Sequence, residues 1–517
     1  MADRTRPLSL SVWLLSAGIA GLVLGTALAL ALRADSFTLR PAEWAALEFT
    51  LKQAALSALF ASLLAIPVAR AIARRRFRGR GAMIVLMGAP FLLPTVVAVI
   101  GMLSVYGRSG LANQLLDLLG LPRISIFGLQ GVVLTNVFFD LPLATRMLLN
   151  GWFAIPAERF RLAESLGLGP RGIHRHLEMP MLREVLPGAF VVVFLLCLTS
   201  FVVSLTFGGG PAATTLELAI YQALRFDYDL GRAALLAGLQ FLTCAIVVVL
   251  AGRLALPAGF GTGQARAAAR PPAPAGWRRV GDAAVLALAA AFLLTPLLMV
   301  VRDGAAAIPS LPAAVWQAAL RSLVMALLAA GLATIGAVVL ALAMARGAPG
   351  ARLIDVVAML PMAASGLVLG TGLFLWLRPF APPEAVAVPV TVLVNAVLAL
   401  PFLYRMILPE ARALHQGYDR LCATLDLRGW ARLRLVTLPR LARPLGLGAG
   451  IASALSMGDL GVIALFAGDS NPTLPLMAQR LAGAYRLADA AAASLVLVGL
   501  SFGLFWLFDQ GGRRAAA

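Results

Sequence analysis

The stretch "RLAESLGLGPRGIHRHLEMPML", Arg161 to Leu182, returns as "RLCATLDLRGWARLRLVTLPRL", Arg420 to Leu441. Pro180 and Pro439 match across an offset of 259 residues, as do Asn136 with Asn395, Pro142 with Pro401, Arg146 with Arg405 and Met147 with Met406. The offset is half the length of the 517-residue chain, so the protein reads as a tandem duplication. The repeated stretch is the longest polar-rich segment that the halves share. A duplicated apolar unit with a duplicated polar loop points to two membrane halves, each presenting its loop to a partner.

Composition agrees. Hydrophobic residues make up 60% of the chain and charged residues 13%, about half the charge of a soluble domain. Twelve windows are apolar over a length that can cross a bilayer: 12–32, 49–70, 82–106, 128–150, 186–206 and 233–255, then 281–301, 318–345, 353–377, 385–408, 443–466 and 490–508. Windows this long fit helices rather than barrel strands. The expected fold is all-α, a polytopic helical protein embedded in the lipid bilayer with about 12 spans. The first window, Val12 to Leu32, is longer than the usual apolar core of a cleaved signal.

The net charge of +19 is almost wholly arginine, with Lys52 the one lysine. Its placement follows the positive-inside rule and not a nucleic-acid surface. "RAIARRRFRGR" (Arg70 to Arg80), Arg270, Arg278 and Arg279, and Arg513 and Arg514 then lie in the cytoplasm, with both termini and both repeated loops. The Pro/Gly/Ala-rich segment 257–279 reads as a cytoplasmic linker. It divides a first half, 1–256 with its polar loop at about 156–183, from a second, 280–517 with its loop at about 415–442. Six spans per half keep the halves parallel and bring both loops out on one side.

Chemistry on the chain itself finds no support. Cys197, Cys244 and Cys422 have no metal spacing and read as small buried hydrophobes. His174 and His176, two apart, do not share a helix face, and His415 lies beside the second loop. No glycine-rich loop ends in a Lys followed by Ser or Thr, so nucleotide chemistry must belong to another chain.

The repeated loops resemble the cytoplasmic signature of ABC importer permeases: a Glu-Ala-Ala triplet, a Gly, and a Pro thirteen residues past the Gly. Here the first copy has Arg161, Leu162 and Ala163, then Gly167 and Pro180. The second has Arg420, Leu421 and Cys422, then Asp426 in place of the Gly, and Pro439. The triplet's Glu is missing from both. Leu198 to Asp229, Ser456 to Phe466 and "DLPLATRMLLNGW" (Asp140 to Trp152) are most similar to the fused permeases of thiamine importers; fused iron(III) importer permeases share the plan and are the alternative. The resemblance implies two tandem type I importer modules in a bacterial inner membrane. It also implies a homodimeric ATPase that holds the ATP and magnesium, a periplasmic thiamine-binding protein, and no cofactor on this chain. An ion-gradient-driven secondary transporter is a more distant alternative, but it would not need paired loops on one side.

Each loop is expected to form an L-shaped projection: a short helix, a turn, and a segment ended by its Pro. Ala163 is read as small enough for a partner's groove to approach, and Asp426 as turning the second loop differently. Asp140 and Asp459 fall within spans, where a carboxylate is costly and marks either the transport route or a buried backbone contact. With the aromatic Tyr221 they form the candidate pathway for a cationic substrate. Gly208, Gly209, Gly210, Thr214, Thr215 and Glu217, with Asn471 and Thr473 in the second half, lie on the opposite face as candidates for docking a binding protein, each set preceding a short helix.

Overall fold

Alanine recurs along one side of the second span at positions 54, 58, 61, 65 and 69, while Leu59, Phe60, Leu63 and Leu64 fall on the other. In the computed structural model the alanines are buried and the large side chains are exposed. Ala318, Ala326, Ala330, Ala333 and Ala337 are buried in the same way, with Leu320, Leu328, Leu332 and Ile335 outside. This inverts the soluble pattern. Lipid tails solvate leucine as well as a protein core does, so helices associate through close backbone approach and dispersion, which small residues permit.

The structure describes residues 10–34, 38–88, 93–208, 210, 213–252, 276–347, 350–468 and 471–516. The first half runs α1 (Leu10–Arg33), α2 (Pro41–Arg74), α3 (Arg80–Leu86), α4 (Thr95–Tyr106), α5 (Leu111–Leu118), α6 (Leu129–Ala154), α7 (Ala157–Ser165), α8 (Pro170–Ile173), a π-helical turn (His174–Glu178), α9 (Met179–Leu198), α10 (Phe201–Phe207), α11 (Leu216–Arg225) and α12 (Leu230–Gly252). The second runs α13 (Trp277–Ala305), α14 (Ala313–Ala345), α15 (Ala351–Met359), α16 (Gly366–Leu377), α17 (Pro383–Thr424), α18 (Gly429–Arg432), a π-helical turn (Leu433–Thr437), α19 (Leu438–Met457), α20 (Gly461–Phe466), α21 (Leu474–Gly483) and α22 (Leu487–Ala516). No strand occurs among the described residues.

Among the described residues eleven helices are long and apolar enough to cross a membrane, and the number is twelve if a pair bent by 94°, Ala351–Ala363 with Gly366–Leu377, counts as one span. The all-α membrane fold stands, but four windows are not single straight helices. Window 353–377 is this bent pair, and 82–106 contains α3 and α4. Windows 186–206 and 443–466 each break before a short helix, at Thr199–Ser200 and at Gly458–Leu460. Of the segment read as a linker, 257–275 lies outside the described residues, and α13 already begins at Trp277.

The halves repeat in the order of their main helices, with α5 an addition of the first half, and they interlock. α2 packs on α6 and α9, and α14 packs on α17 and α19. The first helix of each half also crosses to the other half: α1 packs on α15 and α16, and α13 on α2 and α4. Two glycines set these crossings. A Cβ on Gly101 of α4 would lie 2.6 Å from the Pro296 carbonyl oxygen of α13, and one on Gly372 of α16 would lie 2.5 Å from Thr26 Cβ of α1. Gly331 on α14 has open space around it.

Gly101→Leu or Gly372→Leu should therefore destabilise the assembled halves by about 1–3 kcal/mol or more, the usual cost of overpacking. Gly331→Leu should be tolerated. The melting temperature of the detergent-purified chain reads this, and an equal loss in all three variants would show that the crossings do not depend on glycine.

Candidate functional site

The two polar loops close in the same way despite their different sequences. At the end of α7, Gly167 takes a left-handed φ of 65°. The Leu168 N–H then donates to the Ala163 carbonyl at 2.9 Å, and the Leu166 N–H to the Leu162 carbonyl at 3.0 Å. At the end of α17, Asp426 takes a φ of 49°, with Leu427 N–H to Cys422 carbonyl at 2.8 Å and Leu425 N–H to Leu421 carbonyl at 3.0 Å. Both are Schellman-type helix ends, and a short polar residue such as Asp can occupy the left-handed position. The expectation that Asp426 turns the second loop differently is corrected.

The prolines also act differently from the expectation. Pro180 and Pro439 do not end a segment. Each follows a π-helical turn, in which Met179 N–H reaches back to the His174 carbonyl and Leu438 N–H to the Leu433 carbonyl. The wider turn lets a proline enter a continuing helix without the clash its ring would otherwise meet one turn back. The chain then runs straight on into α9 and α19.

Ala163 and Cys422 are buried, so their small size serves internal packing and not close approach by a partner. What faces outward are Arg161, Arg420, Gly167, Asp426 and a leucine pair on each loop. Leu162 is 60% exposed and Leu166 67%; Leu421 is 50% exposed and Leu425 59%. Each pair is spaced i, i+4 on one helical face, and the two pairs correspond at the 259 offset. Leu166 and Leu425 were missed in the sequence because leucine draws no notice in a chain this apolar.

The two candidate pathway acids lie in separate sites. Asp140 on α6 accepts a hydrogen bond from the Cys197 thiol of α9 at 3.0 Å, within a polar network of the first half. There Asn136 donates to Gln53 Oε1 at 2.8 Å, and Gln53 Nε2 donates to the Cys197 carbonyl at 2.8 Å. Asp459 instead stands at the break before α20, facing the backbone amides of Gly461, Val462 and Ile463 and the Asn395 side chain. Asn395 in turn donates to Ser456 Oγ at 3.1 Å. The repeated asparagines thus anchor the helix break of each half. Tyr221 meets Phe201 edge-on at 5.3 Å between ring centroids, and Phe201 lies against Gly461, so Tyr221 and Asp459 share the seam between halves while Asp140 does not.

On the opposite end the short helices α11 and α21 are tied by matching bonds. Leu216 N–H donates to Thr50 Oγ1 and Leu474 N–H to Ser322 Oγ, both at 2.8 Å. Thr215 caps α11 by accepting from Leu218 N–H at 3.3 Å. Of the docking candidates, Gly208, Thr215, Thr473 and Glu217 are buried, so they do not form a surface. Gly210 is exposed, Thr214 and Asn471 are half-buried, and Gly209 lies outside the described residues. Exposed groups beside these helices include Tyr228 and Tyr485, each at a left-handed φ (53° and 60°) just past its helix.

Two interlocked halves of matching helices, each carrying the same outward loop and neither carrying a nucleotide-binding motif, define a duplicated importer permease of the ABC class. Over 481 residues, 92% of this chain and 88% of the relative, the chain is 39% identical to the thiamine transport system permease protein ThiP of Brucella abortus (strain 2308). It is 39% identical over 484 residues to the protein of the same description from Escherichia coli (strain K12), covering 90% of this chain and 89% of that one. The molybdenum transport system permease protein ModB of Mycobacterium bovis is 31% identical over 266 residues, which is 50% of this chain and 98% of that protein. No family model matches the chain. The chain belongs to the family of thiamine transport system permease proteins.

Gly167→Val should put a β-branched residue into the left-handed turn at a local cost of about 1–2 kcal/mol and lower transport per inserted chain. Asp426→Gly should preserve both transport and melting temperature, because glycine takes the same backbone conformation without cost. Loss of transport in Asp426→Gly would mean that the carboxylate, and not the turn, is what the second loop needs.

Proposed function

We propose that this chain is the membrane permease of an ATP-driven importer, moving thiamine or its phosphates across a bacterial inner membrane. The observation that carries the reading is the matched pair of loop ends on a chain whose near-full-length relatives are thiamine permeases. Those names favour thiamine over the iron(III) alternative. A homodimeric ATPase, which holds the ATP and magnesium, fits the paired leucines Leu162–Leu166 and Leu421–Leu425, since two like grooves require two like ridges. Both termini and both loops lie in the cytoplasm, following the arginine distribution.

A periplasmic thiamine-binding protein docks on the other face, across Gly210, Thr214 and Asn471 with Tyr228 and Tyr485 beside them. The substrate route follows the seam between halves, where Tyr221, Phe201 and Asp459 offer aromatic faces and a carboxylate to a cationic thiazolium. Asp140 contributes from the first half's polar network. ATP-driven closure of the ATPase draws the loops together and rocks the halves between inward- and outward-facing states.

Uptake of labelled thiamine into cells carrying the chain, its ATPase and its binding protein tests the substrate. Accumulation of iron(III) without thiamine would overturn it. The double change Leu162→Asp with Leu421→Asp should abolish co-purification of the ATPase and reduce uptake at least tenfold, with the chain still inserted. Normal co-purification would remove the leucine ridges from the contact.

A further inference from the structure

The halves differ where α2 and α14 meet the π-helical turns. In the first half, Arg70 of α2 bonds Glu178 of the π turn at 2.7 Å, and His174 bonds the same carboxylate at 2.9 Å. The correspondence of Thr50 with Ser322, each accepting the first amide of its half's short helix, places Leu342 opposite Arg70. The correspondence of the π turns places Thr437 opposite Glu178. Neither member of the ion pair is present in the second half.

The space that the ion pair would fill is a cavity of about 220 Å³, and Leu342 and Thr437 both line it. Its other walls bring in the guanidinium groups of Arg346 at the end of α14 and Arg432 of α18, and the imidazole of His415 on α17. One carboxylate faces them. Asp419 bonds His415 Nδ1 at 2.5 Å and also pairs with Arg432. Arg346 is exposed and makes no ion pair among the described residues. Two permanent guanidinium charges against one carboxylate leave a positive cavity, with Leu342, Leu414 and Leu433 as an apolar wall.

We propose that this cavity binds a small soluble phosphate ester. Guanidinium groups match phosphoryl oxygens in geometry and charge, and the leucine wall suits an apolar or aromatic remainder. The exposed Arg346 and Gly429 put its mouth on the loop side, not against lipid. The position gives the ligand leverage: the cavity lies between the transport helices α14 and α17 and the second coupling loop. An occupant would brace that loop as the Arg70–Glu178 pair braces the first. Its cytoplasmic location rests on the orientation proposed above.

The test uses the chain purified with its ATPase, and inorganic pyrophosphate as the probe. Millimolar pyrophosphate should raise the melting temperature of the native complex by about 2 °C or more. Two variants should lose most of that rise: Arg346→Gln, and the double change Leu342→Arg with Thr437→Glu, which rebuilds the first half's ion pair inside the cavity. An equal rise in the native complex and both variants would overturn the proposal, as would no rise in the native complex. A response only in nanodiscs containing phosphatidylglycerol, absent with pyrophosphate in phosphatidylcholine, would assign the site to a lipid headgroup and overturn the soluble ligand. Thiamine uptake is measured separately, so a binding site that persists without thiamine transport would sink the substrate reading and leave this one standing.

Discussion

The assembly depends on two places where a helix of one half comes so close to a helix of the other that no side chain fits between. At Gly101 the obstacle is the Pro296 carbonyl, and at Gly372 it is the Thr26 side chain and its Cα. In lipid there is no hydrophobic gain from hiding leucine, so the halves must be held by contact at short range. Few polar ties supplement these crossings. Arg225 reaches the Ala467 carbonyl at 3.0 Å and Gln479 bonds Thr206 at 3.1 Å at one end, while Arg74 and Arg75 pair with Asp282 at the other. Two backbone-level crossings with light polar ties at either end suit bodies that rock against each other as units.

The same economy governs the loops. The second half reaches its loop by one continuous helix of 42 residues, α17, whereas the first breaks at Ile155–Pro156. Proline pushes the residue before it out of the helical region, and the corresponding position in α17 is His415, which imposes no such break. Yet both routes end in the same left-handed turn and the same π-helical turn. Geometry at the loop is kept while the path leading to it diverges.

Much of this was legible in the residues. The offset of 259 exposed the duplication, and arginine-poor apolar windows located the spans; both rest on periodicity and composition, which lipid enforces strongly. The short helices before the last span of each half were legible too, from the glycines, prolines and threonines ahead of them. The turn at Asp426 was not, because backbone conformation decided what residue type left open. Nor was the inward aim of Ala163 and Glu217, the latter 2% exposed: α11 has an apolar face, but an acidic residue beside it reads as belonging to the open one. The hydroxyl ties of Thr50 and Ser322 escaped for another reason. They sit 272 residues apart, off the register that the loops define, since the first half carries the extra helix α5 between its matched spans.

The copies have separated in role residue by residue, not by register. Positions that match at the common offset keep the shared mechanics: the asparagines at the helix breaks, the leucine ridges, the π turns. Positions that depart carry what a symmetric dimer could not have. Asp140 corresponds to Ala399, so a buried carboxylate belongs to one half only, and the Arg70–Glu178 brace corresponds to Leu342 and Thr437 around an open cavity. A substrate without two-fold symmetry gains nothing from a symmetric route. Fusion of the halves into one chain keeps each departure on its own side of the interlocked pair.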